Sequence, residues 1–113
     1  MERFKLEAIG SIAISSISAA ELAYGVAKSS SDKNRAALEM FLAPLAVVPF
    51  GENAIWQYGQ LRTDLEKRGH PIGPMDTMIA AHALAINATL VTNNTREFAR
   101  VESLLMENWV LTG

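Results

Sequence analysis

Short apolar runs with strand character recur along the chain, and each is separated from the next by a stretch whose hydrophobic residues keep helical spacing. "SIAISSIS" at 11–18, "AVVPF" at 46–50, "ATLVTNN" at 88–94 and "ENWVL" at 107–111 read as strands. Parallel neighbours in a sheet need a long crossover, and an intervening helix supplies one. The alternation therefore predicts an α/β fold, with a mostly parallel sheet covered by helices on both faces.

The helical segments differ in clarity. "AAELAYGVAKS" reads as a helix although Gly25 costs about 1 kcal/mol in its interior. After the loop "SSSDKN", Leu38, Phe41, Leu42 and Leu45 keep helical spacing, with Asp32 placed to cap the start. The clearest amphipathic helix runs from Asn53 to Arg68, with Ala54, Tyr58, Leu61 and Leu65 on one face and Gly69 as its stop. A loop containing Pro71 and Pro74 leads into the helix that begins around Asp76, and "TREFARVESLL" reads as a short helical turn. Residues 2–9 are expected to form a short helix ending at Gly10. At 113 residues, with no repeat and no linker, the chain is expected to be one domain spanning 1–113.

Composition narrows the function classes little. The formal net charge is -2, so nucleic acid gains no global attraction and a local basic patch must supply any. There is no cysteine, which removes disulfides and thiolate chemistry and suits a cytoplasmic location. The opening "MERFKLEAIG" lacks an apolar run of signal-peptide length, and Pro44 and Pro49 interrupt "FLAPLAVVPF", so no membrane span is expected.

In an open parallel sheet, ligands bind beyond the carboxyl ends of the strands, where the following helices begin. Glu21, Asp76 and Asn94 map to that edge. Two carboxylates and an amide there offer hard oxygen ligands suited to Mg²⁺ or Mn²⁺, and such an ion suits phosphodiester hydrolysis. Each residue also has a plain structural reading. Ser18-Ala-Ala-Glu21 matches a capping box, Asn94-Thr-Arg-Glu97 a related N-cap, and Asp76 in a first helical turn is favoured by the helix dipole. The two histidines read as structural, His70 in a Gly-Pro loop and His82 inside an apolar helix, so zinc is not expected. Trp56 and Trp109 read as packing residues. Arg62, Lys67, Arg68, Arg96 and Arg100 form either a solvated surface or a basic rim near an RNA backbone.

"SSISAAELAYGV", "PIGPMDTMIAAHAL" and "LVTNNTREFARV", in that order, resemble the PIN-domain ribonuclease toxins of the VapC type. The resemblance implies a three-layer α/β/α PIN fold and a Mg²⁺- or Mn²⁺-dependent endoribonuclease acting on structured RNA such as tRNA or rRNA. It also implies a homodimer or higher oligomer and a cognate antitoxin that covers the site. The family's acidic positions fall on Glu21 and Asp76 as metal ligands, its last polar position falls on Asn94, and Glu97 and Thr92 are placed in the outer shell.

The resemblance also marks a departure. PIN toxins begin with an apolar strand running into Asp-Thr-Asn, and that aspartate is a principal metal ligand. The only aspartates here are Asp32, Asp64 and Asp76, and none follows an N-terminal apolar strand. The expectation is a fold truncated at its N-terminus relative to the family, with a gap at the centre of the sheet that a neighbouring chain completes. A chain lacking that ligand is expected to bind Mg²⁺ weakly and cleave RNA poorly. The alternative is a catalytically inactive PIN domain that keeps only its dimer or antitoxin surfaces.

Overall fold

The computed structural model describes residues 2–6 and 11–108. In chain order the elements are β1 (Arg3–Leu6), β2 (Ser11–Ser15), α1 (Ser16–Ser29), α2 (Asp32–Leu42), β3 (Ala46–Val48), α3 (Glu52–Lys67), α4 (Pro74–Ala85), β4 (Thr89–Val91), α5 (Thr95–Phe98) and β5 (Met106–Glu107). The strands form one five-stranded sheet in the order β3-β2-β1-β4-β5. β2 pairs with β3 and β4 with β5 in parallel, while β1 is antiparallel to both of its neighbours. All strands but β1 therefore share one direction, and the fold is the expected α/β architecture with a mostly parallel sheet.

The N-terminal segment departs from expectation. Instead of the helix expected over 2–9, Arg3–Leu6 is a strand at the centre of the sheet; positions 7–10, with the expected Gly10 stop, lie outside the described residues. Arg3, Phe4, Lys5 and Leu6 alternate polar and apolar, a period that suits a strand. The decisive term is tertiary, because β2 and β4 each present a row of backbone N–H and C=O groups that β1 satisfies on both sides. Phe4 lies opposite Ala13 on one flank and Leu90 on the other, and it is only 1% exposed. The centre of the sheet is thus filled by this chain's own residues. An open gap is no longer a reason for a second chain to enter.

Alternation along β1 sends successive side chains to opposite layers. The Phe4 ring packs edge-on to His82 of α4, with centroids 5.0 Å apart. One residue earlier, the Arg3 guanidinium lies 5.1 Å from the centroid of the Phe41 ring of α2, a cation–π contact on the other face. The main core sits on the Phe4 side, where Ala13 and Leu90 meet Leu61 and Leu65 of α3 and Ile79, Ala80 and Ala83 of α4. The run of alanines in α4 allows close approach, and α3 with α4 forms the most extensive contact between elements.

Several boundaries shift for identifiable reasons. "SIAISSIS" is a strand only to Ser15, whose Oγ accepts the Ile17 N–H at 3.1 Å and caps α1. The Ser18–Glu21 capping box does not form, and Ser18 is buried one turn inside the helix. In α2 the cap is Ser31, whose Oγ accepts the Asn34 N–H, with Asp32 in the first turn where the helix dipole favours it. "TREFARVESLL" is helical only over Thr95–Phe98. The final strand begins one residue early at Met106, and Trp109 with most of the expected "ENWVL" strand lies outside the described residues.

Candidate active site

The Gly73-Pro74 pair sets the start of α4. Pro74 occupies the first turn, where its missing N–H is no loss, and Asp76 follows half-buried at the helix N-terminus. Thr77, buried, donates from Oγ1 to the Gly73 carbonyl at 2.9 Å and fixes the turn from within. Across from it, α5 brings Glu97 to the same turn. Glu97 Oε1 accepts the Gly73 N–H at 3.1 Å, and Glu97 Oε2 accepts from Nδ2 of Asn94 at 2.8 Å. Asn94 occupies the N-cap position of α5 without capping through its side chain, because that side chain is turned to Glu97. The N-cap reading of Asn94 is corrected accordingly.

The result is a crowd of carboxyl groups. The Asp76 carboxyl is pushed up to about 7, first by burial and then by its hydrogen bond to Glu97 and by the charges of Glu97, Glu2 and Glu21. Glu97 moves the other way, held below its ordinary range chiefly by the Gly73 N–H and then by the bond to Asp76. Below about pH 7 the pair holds one proton, with the negative charge on Glu97, where the donors are. Glu21 lies exposed on α1 and reaches the pair through its charge. Thr92, 2% exposed, accepts the Asn94 N–H at 3.0 Å and donates from Oγ1 to Glu2 at 3.4 Å.

Of the sequence-predicted residues, Asp76, Asn94, Glu97 and Thr92 converge, and Glu21 stands at electrostatic range. Sequence reasoning placed Glu97 in the outer shell, whereas here it touches Asp76 directly. It missed Glu2 altogether. The basic residues divide: Arg100 donates from Nη1 to the Pro71 carbonyl at 2.8 Å, and Arg62 lines a cavity with Pro71, Ile72 and Pro74 and has Tyr58 and Glu66 as its partners. Arg96 is exposed on α5. His82 is buried with no accessible surface, and its Nδ1 lies 2.8 Å from Ser15 Oγ, which places it in the core.

The donor set can be tested against a divalent cation. Among the described residues, no group of three or more His, Asp or Glu side chains is placed to hold a metal ion together. Mg²⁺ does not require one, since it keeps several waters and is commonly held by one or two carboxylates. The adjacent Asp76 and Glu97 carboxylates beside Gly73 are hard-oxygen donors of the kind such an ion takes, so the residues fit the group.

Residues 2–104 match the family described as PIN domain, and the chain belongs to that family. Among its relatives is ribonuclease VapC2 of Rickettsia felis, 52% identical over 99 residues, which cover 87% of this chain and 74% of the relative. The tRNA(fMet)-specific endonuclease VapC of Shigella flexneri is 43% identical over 109 residues, covering 96% of this chain and 82% of the relative. The crystal structure of VapBC2 from Rickettsia felis, bound to a DNA fragment from its promoter, superposes with a TM-score of 0.83 at 50% identity, covering 87% of this chain and 74% of that one. Homologues of this chain are thus VapC ribonucleases, and its fold is theirs.

Proposed function

We propose that this chain is an endoribonuclease that hydrolyses phosphodiester bonds in structured RNA, with tRNA the first substrate to test. The observation that carries the reading is the meeting of Asp76, Glu97 and Asn94 at the carboxyl end of the sheet, in a chain related to VapC ribonucleases. Asp76 and Glu21 are the residues that would hold Mg²⁺ or Mn²⁺, with Glu97 beside Asp76 and Thr92 behind Asn94. When bound, the ion polarises the phosphate and lowers the pKa of an attacking water. The chain's own residues do the rest. Glu97, itself held by the Gly73 N–H, holds Asp76 in place, Asn94 orients a water through its amide, and Arg62, Arg96 and Arg100 meet the RNA backbone around the Pro71–Pro74 loop.

Relatives named as ribonucleases favour this reading over that of an inactive remnant. The partners proposed with it are a cognate antitoxin, since the structural neighbours include VapBC complexes, and a second copy of this chain. The proposed location is the cytoplasm; among the described residues no helix is long and apolar enough to cross a membrane.

The test is cleavage of initiator tRNA by the purified chain with Mg²⁺ or Mn²⁺. Asp76→Asn is expected to lower the rate roughly 100-fold or more, in line with the loss of a metal-site group. Cleavage that continues in excess chelator, or that is indifferent to Asp76→Asn, refutes the assignment.

A further inference from the structure

We propose that the cavity between the Pro71–Pro74 loop and α3 is a base-reading subsite, which seats one unpaired nucleobase of the RNA, guanine first, beside the phosphate that meets Asp76 and Glu97. The inference deepens the endoribonuclease reading and rests on it. The cavity has a volume of about 130 Å³. Drug-sized ligands occupy about 300 to 1,000 Å³, so this space takes one flat ring system and not a whole nucleotide.

The cavity is built to hold such a face. Leu65 of α3 and Thr77 of α4, 1% and 2% exposed, bring core residues to its floor, and Pro71, Ile72 and Pro74 add apolar surface from the loop. The loop is fixed at several points. Arg100 Nη1 donates to the Pro71 carbonyl at 2.8 Å, the His70 N–H to the Leu65 carbonyl at 2.9 Å, and Thr77 Oγ1 to the Gly73 carbonyl at 2.9 Å. A cavity held in shape beforehand loses little ordering entropy when it is filled.

Arg62 and Glu66, one turn apart on α3 and both more than half exposed, supply the polar edge of the same cavity. Arg62 donates from Nη1 to Tyr58 Oη at 2.9 Å and from Nε to Glu66 Oε2 at 3.3 Å, which orients the guanidinium and leaves Nη2 and Glu66 Oε1 without a hydrogen-bond partner among the described residues. A donor and a carboxylate acceptor thus stand side by side at an apolar slot. Guanine presents their complement along its Watson–Crick edge, a carbonyl acceptor at O6 beside two N–H donors at N1 and N2, and unpaired RNA bases are the ones splayed out for such contacts. Position joins the cavity to the carboxyl pair. Ile72 and Pro74 flank Gly73, whose N–H Glu97 accepts, and Thr77 follows Asp76 directly on α4. The part given to Arg62 is sharpened accordingly: it meets the RNA at a base edge, and Arg96 and Arg100 keep the backbone.

The competing account is that Arg62 and Glu66 are only a surface pair one helical turn apart, like Arg35 and Glu39 on α2. Guanosine 5′-monophosphate, inosine 5′-monophosphate, which lacks the N2 amino group, and ribose 5-phosphate, which lacks the base, are each titrated at millimolar concentration into the full chain labelled with ¹⁵N, and into Arg62→Gln, Glu66→Ala and the control Arg35→Gln. The guanine nucleotide is expected to shift the Ile72 and Thr77 amides and the Arg62 Nε–H, which ribose 5-phosphate leaves in place. The inosine nucleotide should bind roughly fivefold more weakly, a difference that Glu66→Ala abolishes, and Arg62→Gln should weaken the guanine nucleotide roughly tenfold while Arg35→Gln changes nothing.

Equal shifts from ribose 5-phosphate, no shift from any of the three ligands, or affinity unchanged in both Arg62→Gln and Glu66→Ala overturns the subsite. The tRNA cleavage assay decides the reading beneath it separately. A chain that cleaves tRNA while its cavity ignores the guanine nucleotide loses the subsite alone, and one whose cavity seats that nucleotide but which cleaves no RNA loses the nuclease reading and the subsite's part in it.

Discussion

Phe4→Ala tests whether the N-terminal strand belongs to the core. The ring is 1% exposed, lies between Ala13 and Leu90 in the sheet, and meets His82 edge-on at 5.0 Å. Burying a side chain of this size contributes about 1.5 to 3 kcal/mol, and the cavity left by truncation adds to that, so Phe→Ala changes in cores cost about 3 to 5 kcal/mol. The loss should fall in the upper half of that range, because the aromatic contact with His82 goes too and the neighbours Ala13 and Leu90, fixed in the sheet, cannot collapse inward. Against a total stability of about 5 to 15 kcal/mol for a domain of this kind, the variant is severely weakened. Urea denaturation followed by circular dichroism measures it, and thermal melts should show a drop of roughly 12 to 20 °C. Were the segment instead a solvent-facing helix, Phe4→Ala would cost less than about 1 kcal/mol. A result that small refutes the central placement of β1, and with it the position assigned to Glu2.

Stability should respond to pH with two opposed slopes. The His82 imidazole is held below its ordinary value of 6.5 by burial, so the unfolded chain takes up a proton that the folded one refuses, and stability is lost as pH falls below 6.5. Asp76, raised from 3.8 to about 7, does the opposite: its contribution is fully present below 3.8 and is lost as pH rises through about 7. Asp76→Asn should therefore raise the stability of the metal-free protein at about pH 8 and steepen its loss toward about pH 5, as read from urea midpoints across that range. In Glu97→Gln, carboxyl carbon NMR should show the Asp76 titration moving down from about 7 without reaching 3.8, since burial is the larger cause and persists; no movement would disprove the coupling. Ser31→Ala removes the cap on the Asn34 N–H at a cost of about 1 kcal/mol. Because α2 has no buried residue, that loss should appear as roughly fivefold faster amide exchange within α2 and scarcely at all in the global melt.

Legibility from sequence followed the length and regularity of each signal. The helix from Asn53 onward was readable because Ala54, Leu61 and Leu65 repeat over about three turns, and these residues do form its buried face. Asp76 was locatable because the Gly73-Pro74 turn signal stands just before a long apolar run. β1 was not readable, since four residues alternating Arg, Phe, Lys and Leu amid charges are too few to separate one period from another, and two waiting sheet edges decided the matter. Competing serines explain the misplaced caps: Ser15, Ser16 and Ser18 are all competent, and the one with its Oγ within reach of His82 Nδ1 was taken. The contact of Glu97 with Asp76 had no local signature, because it depends on how α5 is laid beside the Gly73 turn.

The site residues flank the central strand without belonging to its interior, which separates two roles that a strand in this position performs. One is spacing. Neighbouring strands in a sheet lie about 4.8 Å apart, so an intervening β1 sets β2 and β4 about 10 Å from each other, and this holds whichever way β1 runs. Glu21, carried beyond the end of β2, and Asn94, carried beyond the end of β4, owe their separation to that interval. The second role is donation, and here direction is everything, because only one end of the strand faces the edge where the helices begin. Reversing the strand leaves Asp76, Glu97 and Asn94 where they are, since all three are placed by α4, α5 and the loop after β4. What changes is the identity of the side chain that the centre of the sheet contributes: in this chain it is the residue before β1, a glutamate, tied to Thr92 on the β4 side.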